Sequence, residues 1–412
     1  MSTTSRSLRR IFRSLQVFSR DDRKAGALMM STAVLGLLCA NFPGLSRLYQ
    51  AGISWIPLSQ LPPANSLHIS LGEWIQDGLL TVFFLVTGLD LRQEMTSGSL
   101  RHPKQALLPL LAALGGVLAP IALYLLINAS SPATISGWAV PTATDVAFSL
   151  AALQVIAPKT SPSVQAFLMT LAVFDDIIGV VLIALCYSQL EQVWGLLLTA
   201  LCLAIWYALT RVRQLHWPHR VGALAAALGA WYGFLIAGVH PVLSGVALGL
   251  LTPARPAPGQ TSSRATRLAS ALLPLSALLA LPLFAFCSMG IPLHEFKLSW
   301  LSSPVFLGIC LGLALGKPLG IMAVLTLCST LGLKPPLGAR LADLLAPAQL
   351  CGIGFTMSFL MAKLAFSDPE FTNIALVGVL VGSLLSLLLS AFTLACRKHF
   401  AGHRPAASTA LQ

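Results

Sequence analysis

Two aspartates, Asp175 and Asp176, stand side by side in a run that carries no other charge from Val164 to Tyr187. The run is long enough to cross a bilayer, for which ~20 apolar residues suffice. An ionised group at bilayer depth costs at least ~2.5–3.5 kcal/mol on insertion scales, and two neighbouring carboxylates also repel. Packing alone has no use for them. Either they face water, a cation or a lysine, or the segment does not stay inserted.

The rest of the chain belongs to the same solvent. Charged residues make up 10% of its 412 residues and the mean hydropathy is +0.80, whereas soluble domains carry about 25% charged residues. The apolar runs predict an all-α polytopic membrane protein with twelve helices, at 26–41, 72–95, 107–128, 137–156, 162–187, 193–210, 220–236, 239–252, 271–291, 302–326, 343–365 and 371–396. The loop 42–69, with its Pro, Trp and Tyr, suits an interfacial hairpin or short helix. Arg6–Arg23 is basic and the following run lacks a small-residue cleavage site, so no cleaved signal is expected.

Charge fixes the orientation. There are 26 Lys and Arg against 14 Asp and Glu, a formal charge of +12. With the N-terminus inside, all the basic residues except Arg47, Lys297, Lys317 and Lys363 fall in inner segments. That is the positive-inside rule, and one missed or extra helix would scramble it. The basic loops therefore require no nucleic-acid partner. The organisation expected is a basic cytoplasmic arm over 1–24, one transporter domain over 25–397 and a cytoplasmic tail over 398–412, in a bacterial inner membrane with both termini inside. The eight cysteines form no CxxC pair and read as small buried hydrophobes.

Polar residues within the spans mark where function sits. In the second span, Asp77 is about a turn inside the outer edge, placed either to line a funnel or to cap a neighbouring helix. Asp90 and Glu94 share the inner end, which is either a solvated terminus or an acidic mouth that concentrates cations. His240 opens the eighth span beside Gly238 and Pro241, as a structural residue or one that titrates near neutrality. The third span has Gly115–Gly116, which permits close helix packing. The fourth contains Pro141, Thr142, Thr144 and Asp145 within five residues at mid-span. Broken backbone at that depth survives only inside protein or along a wet cavity. The eleventh reads CGIGFTMSF, with Gly352, Gly354, Thr356 and Ser358, and predicts a second interruption. The tenth carries Lys317, whose obvious counter-ions are Asp175 and Asp176.

Helices three to five and ten to twelve follow the same order, and an odd number of spans per unit makes the repeat inverted. Interrupted helices at matching positions of two halves point to a transporter's site. Where such helices cross, like dipole ends meet and repel. Asp145 can offset facing N-terminal ends, or ligate the ion directly; Lys317 can offset facing C-terminal ends. Asp176, Asp175 and Thr144 supply hard oxygen donors suited to a small alkali cation. Adjacent positions on a helix lie about 100° apart, so the two carboxylates point in different directions. Two close buried carboxylates titrate as a coupled pair, so cation binding and proton loss would compete there.

The stretches VFFLVTGLDLRQEM, GWAVPTATDVAFSL, FLMTLAVFDDIIGVVLIALCY, AGVHPVLSGVALG, LPLFAF, LGKPLG and CGIGFTMSFL recur in order over nearly the whole chain. In them the chain resembles the NhaA family of bacterial Na+/H+ antiporters, itself a known example of inverted-repeat transporters. The resemblance implies twelve helices, two crossed interrupted helices at four and eleven, and a panel domain that can mediate homodimerisation. It implies Asp176 as the principal Na+/Li+ and proton site, Asp175 as its partner paired with Lys317, and Asp145 with Thr144 at the crossing. Asp77 falls at the outer-funnel position and Asp90 at an acidic inner-funnel position. No cofactor is expected, since Na+, Li+ and H+ are cargo. The chain departs from the family at Gln93, Ala269, Ser270, Leu273 and Ser288, which puts the family's alkaline activation in doubt.

Two rival readings differ in class. A Na+-coupled symporter of a small organic solute could share the architecture. An intramembrane aspartyl protease also needs two carboxylates, but on different helices facing one another, and adjacent residues splay apart.

Overall fold

The computed structural model describes residues 15–19, 21–59, 67–98, 101, 103–158, 160–188, 190–212, 216–256, 260–332 and 340–402. The basic arm before residue 15 and the tail after residue 402 lie outside them. Every regular element among the described residues is helical. Eight helices are long and apolar enough to cross a membrane: Arg23–Asn41, Leu71–Ser97, Ala106–Asn128, Pro162–Cys186, Trp217–Ala237, Arg264–Ser288, Pro304–Thr330 and Pro369–Arg397. Two more spans are bent pairs, Pro132–Thr142 with Val146–Ile156 at 54° and Leu341–Leu350 with Phe355–Ala365 at 52°. The shorter apolar helices Val193–Leu209 and Val242–Leu251 complete the expected twelve, in the expected order.

The boundaries shift where polar residues hide a helix. The ninth span starts at Arg264, not 271, because Ser263 Oγ caps it by accepting from the Thr266 amide at 3.1 Å. The last helix continues to Gly402, into the stretch read as tail. Residues Leu45–Ser54 of the first outer loop form a short helix. Three spans contain a wide π turn, at Trp74–Leu79, Ser276–Ala280 and Gly312–Gly316. The last two sit just before Pro282 and Pro318, where a proline removes an amide donor and crowds the preceding turn.

The chain divides into two compact units. One comprises Met1–Ala106 and Ile177–Lys297, the other Leu107–Asp176 and Leu298–Gln412. In the first unit the second and eighth spans pack backbone against backbone, since a methyl group on Gly249 would lie 2.6 Å from the Gly88 carbonyl carbon. In the second unit the third and tenth spans meet the same way, with a methyl on Gly115 placed 2.6 Å from the Gly320 carbonyl oxygen. Small residues give membrane helices this approach and the dispersion contacts that hold them without a hydrophobic driving force. The result is a tight scaffold around the tenth span, which carries Lys317.

Candidate functional site

The fourth span is broken by its own sequence. Ser136–Thr142 forms a 3-10 segment containing Pro141, Ala143 is extended, and Asp145 (φ −87°, ψ 99°) starts the second half. Asp145 Oδ1 accepts from the Phe148 amide at 3.0 Å and so caps that half. The eleventh span breaks over Cys351–Gly354, and its second half begins with Gly354 in the capping position, which has no side chain to offer. Asp145 supplies that cap as well. Its Oδ2 accepts from Thr356 Oγ1 at 2.9 Å and from the Thr356 amide at 3.3 Å, while its own amide donates to the Ile353 carbonyl at 2.7 Å. One carboxylate thus serves two helix N-termini, each carrying roughly half a positive charge.

The carbonyls freed by the two breaks are also taken up. Lys317 Nζ donates to the Thr142 carbonyl, the end of the first half of the fourth span. Ser149 Oγ donates to the Leu350 carbonyl at 2.7 Å, Ser358 Oγ to the Val140 carbonyl at 2.8 Å and Ser386 Oγ to the Gln349 carbonyl at 2.7 Å. The Gly354 amide finds Ser383 Oγ at 3.2 Å. Gly352 and Gly354 have no room for a side chain, because a methyl on Gly354 would meet Leu313 at 3.0 Å and one on Gly352 would collide with the Leu313 carbonyl.

Asp175 and Lys317 meet at the centre of this arrangement. Lys317 Nζ is 2.8 Å from Asp175 Oδ2, and both side chains are fully buried. Thr144 Oγ1 lies 2.6 Å from the same Asp175 oxygen and 2.7 Å from the Cys351 carbonyl, so its single proton serves one acceptor at a time. Asp175 Oδ1 is buried without a hydrogen-bond partner. Asp176, one step further along the helix, is 9% exposed and makes no hydrogen bond or ion pair among the described residues. The second unit therefore assembles Asp145, Thr144, Asp175, Asp176, Lys317 and Thr356 from four spans. It leaves one carboxylate and one carboxylate oxygen open.

The remaining candidates lie in the first unit, in contacts of their own. His240 Nε2 stands 3.8 Å from Asp77 Oδ1, a pair that the sequence reading had kept apart. Asp77 is in the π turn, and its carbonyl accepts from Trp231 Nε1 at 2.9 Å. At the C-terminal end of the second span, Asp90 is exposed and Gln93 Nε2 donates to its carboxylate at 3.3 Å. Gln93 Oε1 in turn accepts from Thr266 Oγ1 of the ninth span at 2.7 Å. Glu94 is half-buried one turn after Asp90. The sequence reading missed Ser149, Ser383 and Ser386. Its one available signal was the spacing of Ser383, Ser386 and Ser390, which places three hydroxyls along one face of the last helix.

Residues 16–394 match the family model described as Na+/H+ antiporter 1. The chain is 41% identical to a Na+/H+ antiporter NhaA of Bifidobacterium adolescentis over 94% of this chain and 88% of that one. It is 38% identical to a Na+/H+ antiporter NhaA of Pseudomonas putida over 90% of this chain and 94% of that one. Among solved structures, it is similar to the sodium proton antiporter MjNhaP1 from Methanocaldococcus jannaschii, with 18% identity, coverage of 92% and 98%, and a TM-score of 0.45.

Proposed function

The chain belongs to the Na+/H+ antiporter 1 family, and on that premise we propose that it exchanges Na+ or Li+ for H+ with Asp176 as the principal ion and proton site. It is a transporter and not an enzyme, and relatives named as antiporters lend the symporter reading no support. The observation that carries the assignment is the contrast between neighbours. Asp175 is held by Lys317 and adjoins Thr144, whereas Asp176 is buried with no hydrogen bond or ion pair among the described residues. A small hard cation seeks such oxygens, and Asp175 Oδ1 offers a second ligand beside them.

Cation and proton then compete for one pocket of oxygens. Na+ arriving at Asp176 displaces its proton, and engaging Asp175 displaces the Lys317 ammonium, which gives up the second proton to water. Two protons against one Na+ would make the cycle electrogenic, and alternating access would present the site to each side in turn. Asp145, with both oxygens given to helix ends, offsets the dipoles and stays out of the ion's first contacts. The distribution of basic residues supports the reading that both termini lie on the cytoplasmic side of a bacterial inner membrane. The homodimer implied by family resemblance belongs to the same reading and is checked by the mass of the purified protein.

The test uses everted membrane vesicles with a dye that reports ΔpH. Adding Na+ or Li+ dissipates the gradient with the wild type and not with Asp176→Asn. Normal exchange by that variant removes Asp176 from the site.

A further inference from the structure

The first unit holds a cavity that the exchange of cations does not explain. Its volume is about 810 Å3 and its walls carry six arginines: Arg92, Arg101, Arg211, Arg255, Arg264 and Arg267. No carboxylate appears among the described residues that line it. Positive-inside topology requires arginines in the inner segments. It does not require four separate stretches of chain, around Arg92–Arg101, Arg211, Arg255 and Arg264–Arg267, to turn them into one concavity. Arg101, Arg211, Arg255 and Arg267 are exposed, so water and salt screen their mutual repulsion, but the concavity still presents a focused positive potential that an anion would neutralise.

Several of these side chains are held in place. Arg264 Nη1 donates to the Thr210 carbonyl at 2.6 Å and Nη2 to the Val212 carbonyl at 2.5 Å, at the end of the sixth span. Arg267 Nη2 donates to Gln260 Oε1 at 2.9 Å. Arg211 lies over the Tyr207 ring at 4.0 Å. Arg92 Nε, by contrast, is buried with no hydrogen-bond partner, a donor that lacks its acceptor. A planar arginine fork matches the paired oxygens of an oxyanion, which a halide does not offer. The volume falls in the range of sites for whole small molecules, about 300–1,000 Å3, and exceeds what a single small anion fills.

We infer that this arginine-walled cavity is a binding site for a ligand bearing more than one phosphate or a phosphate with an attached head group. The ligand comes either from the aqueous phase, as a soluble polyphosphate, or from the bilayer, as an anionic phospholipid. The shared chemistry is phosphate oxygens on arginine forks.

The test uses the full-length protein in neutral detergent with two probes, tripolyphosphate and dihexanoyl phosphatidylglycerol, and with dihexanoyl phosphatidylcholine, a zwitterion whose phosphate is already neutralised by its own ammonium, as the reference of no net charge. Saturable binding is followed by the shift in thermal-unfolding midpoint and by titration calorimetry. Arg255→Gln/Arg267→Gln removes two charges from the wall and is expected to weaken the anionic probes at least tenfold. Arg47→Gln/Arg220→Gln removes the same charge elsewhere and leaves binding unchanged. Arg255→Lys/Arg267→Lys, which keeps the charge without the fork, recovers only part of the affinity and provides a reading if the glutamine variant is unstable. Binding of tripolyphosphate alone assigns a soluble ligand, and binding of the phosphatidylglycerol alone assigns a lipid. The inference is overturned if neither anionic probe binds more tightly than the choline lipid, or if both glutamine variants weaken binding equally.

Discussion

Lys317 Nζ and Asp175 Oδ2 lie 2.8 Å apart with both side chains sealed from solvent. Such a pair repays its desolvation only when neither member is left alone, and breaking one costs about 3–5 kcal/mol. Lys317→Met strands the Asp175 carboxylate and the Thr142 carbonyl, so its thermal-unfolding midpoint falls sharply. Asp175→Asn/Lys317→Met removes both charges and regains part of the loss. The check is a double-mutant cycle on stability, in which strictly additive effects would show that the two groups do not interact.

If Asp176 is the exchange site proposed above, variants of Asp175 and Asp176 separate stability from transport. Asp175→Asn leaves the Lys317 ammonium buried without its counter-charge and lowers stability by several kcal/mol, on the order of a broken buried pair. Asp176 has no hydrogen bond or ion pair to abandon among the described residues. Asp176→Asn is therefore expected to abolish Na+-driven ΔpH dissipation while its unfolding free energy changes by no more than about 1 kcal/mol, as for substitutions that break no contact. Denaturation of the two purified variants side by side decides this. Equal destabilisation would mean that Asp176 is also a structural group.

Asp145 answers to helix ends. Two capping interactions at about 1 kcal/mol each, plus the dipole contribution of ~0.3–1 kcal/mol per end, give Asp145→Ala a loss of about 2.6–4 kcal/mol. Asp145→Asn keeps one acceptor oxygen and loses less. Hydrogen exchange should accelerate at both the Phe148 and Thr356 amides in the alanine variant and at only one of them in the asparagine variant, since each amide donates to a different carboxylate oxygen. The apparent KM for Na+ in the asparagine variant rises by no more than about 10–100-fold, the range for a group that stands behind the ligands, and exchange persists at saturating Na+. Loss of exchange as complete as in Asp176→Asn would make Asp145 a ligand.

Much of this was legible in the chain, for reasons that differ by residue. Asp175, Asp176 and Lys317 announce themselves because charge at bilayer depth is costly, and Pro141 with Asp145 marks a break because few other uses exist for them there. Their individual roles came from family resemblance. The serines that take up the freed carbonyls were not legible, because one hydroxyl in an apolar helix is ordinary and its partner is on another helix. The Asp77–His240 pair gave no signal for the same reason. The start of the ninth span was hidden because Arg264 and Arg267 read as loop, although Ser263 caps a helix there. The π turn before Lys317 does have a local source in Pro318, but a proline in an apolar span reads equally well as a simple kink.

The glycine contact between the third and tenth spans sets another expectation. A methyl on Gly115 would lie 2.6 Å from the Gly320 carbonyl oxygen, backbone that cannot swing aside. Gly115→Ala must push the two helices apart and is expected to cost about 1–3 kcal/mol by overpacking. Gly52, in the short helix of the first outer loop, has nothing within 4 Å of the same position. Gly52→Ala should be neutral or stabilise by up to about 1 kcal/mol through the unfolded chain. Thermal unfolding of the two variants distinguishes them, and a tolerated Gly115→Ala would mean that the spans are further apart than described.

The pH response follows from which groups carry charge at each contact. Gln93 and Thr266 join the second and ninth spans through a neutral hydrogen bond, and Ala269 and Ser270 add no titrating group there. Asp90 and Glu94 are the acidic groups at this inner end. The expected dependence is thus that of competition at Asp175 and Asp176. As pH falls, protons displace Na+, so the apparent KM for Na+ rises by up to about tenfold per pH unit for each proton exchanged. As pH rises, KM falls to a plateau while the rate at saturating Na+ changes little. Measuring KM and maximal rate across the neutral range in everted vesicles separates the two. A maximal rate that switched on steeply in alkali would place a sensor outside the carboxylate pair, because competition alone moves KM and leaves the saturated rate in place.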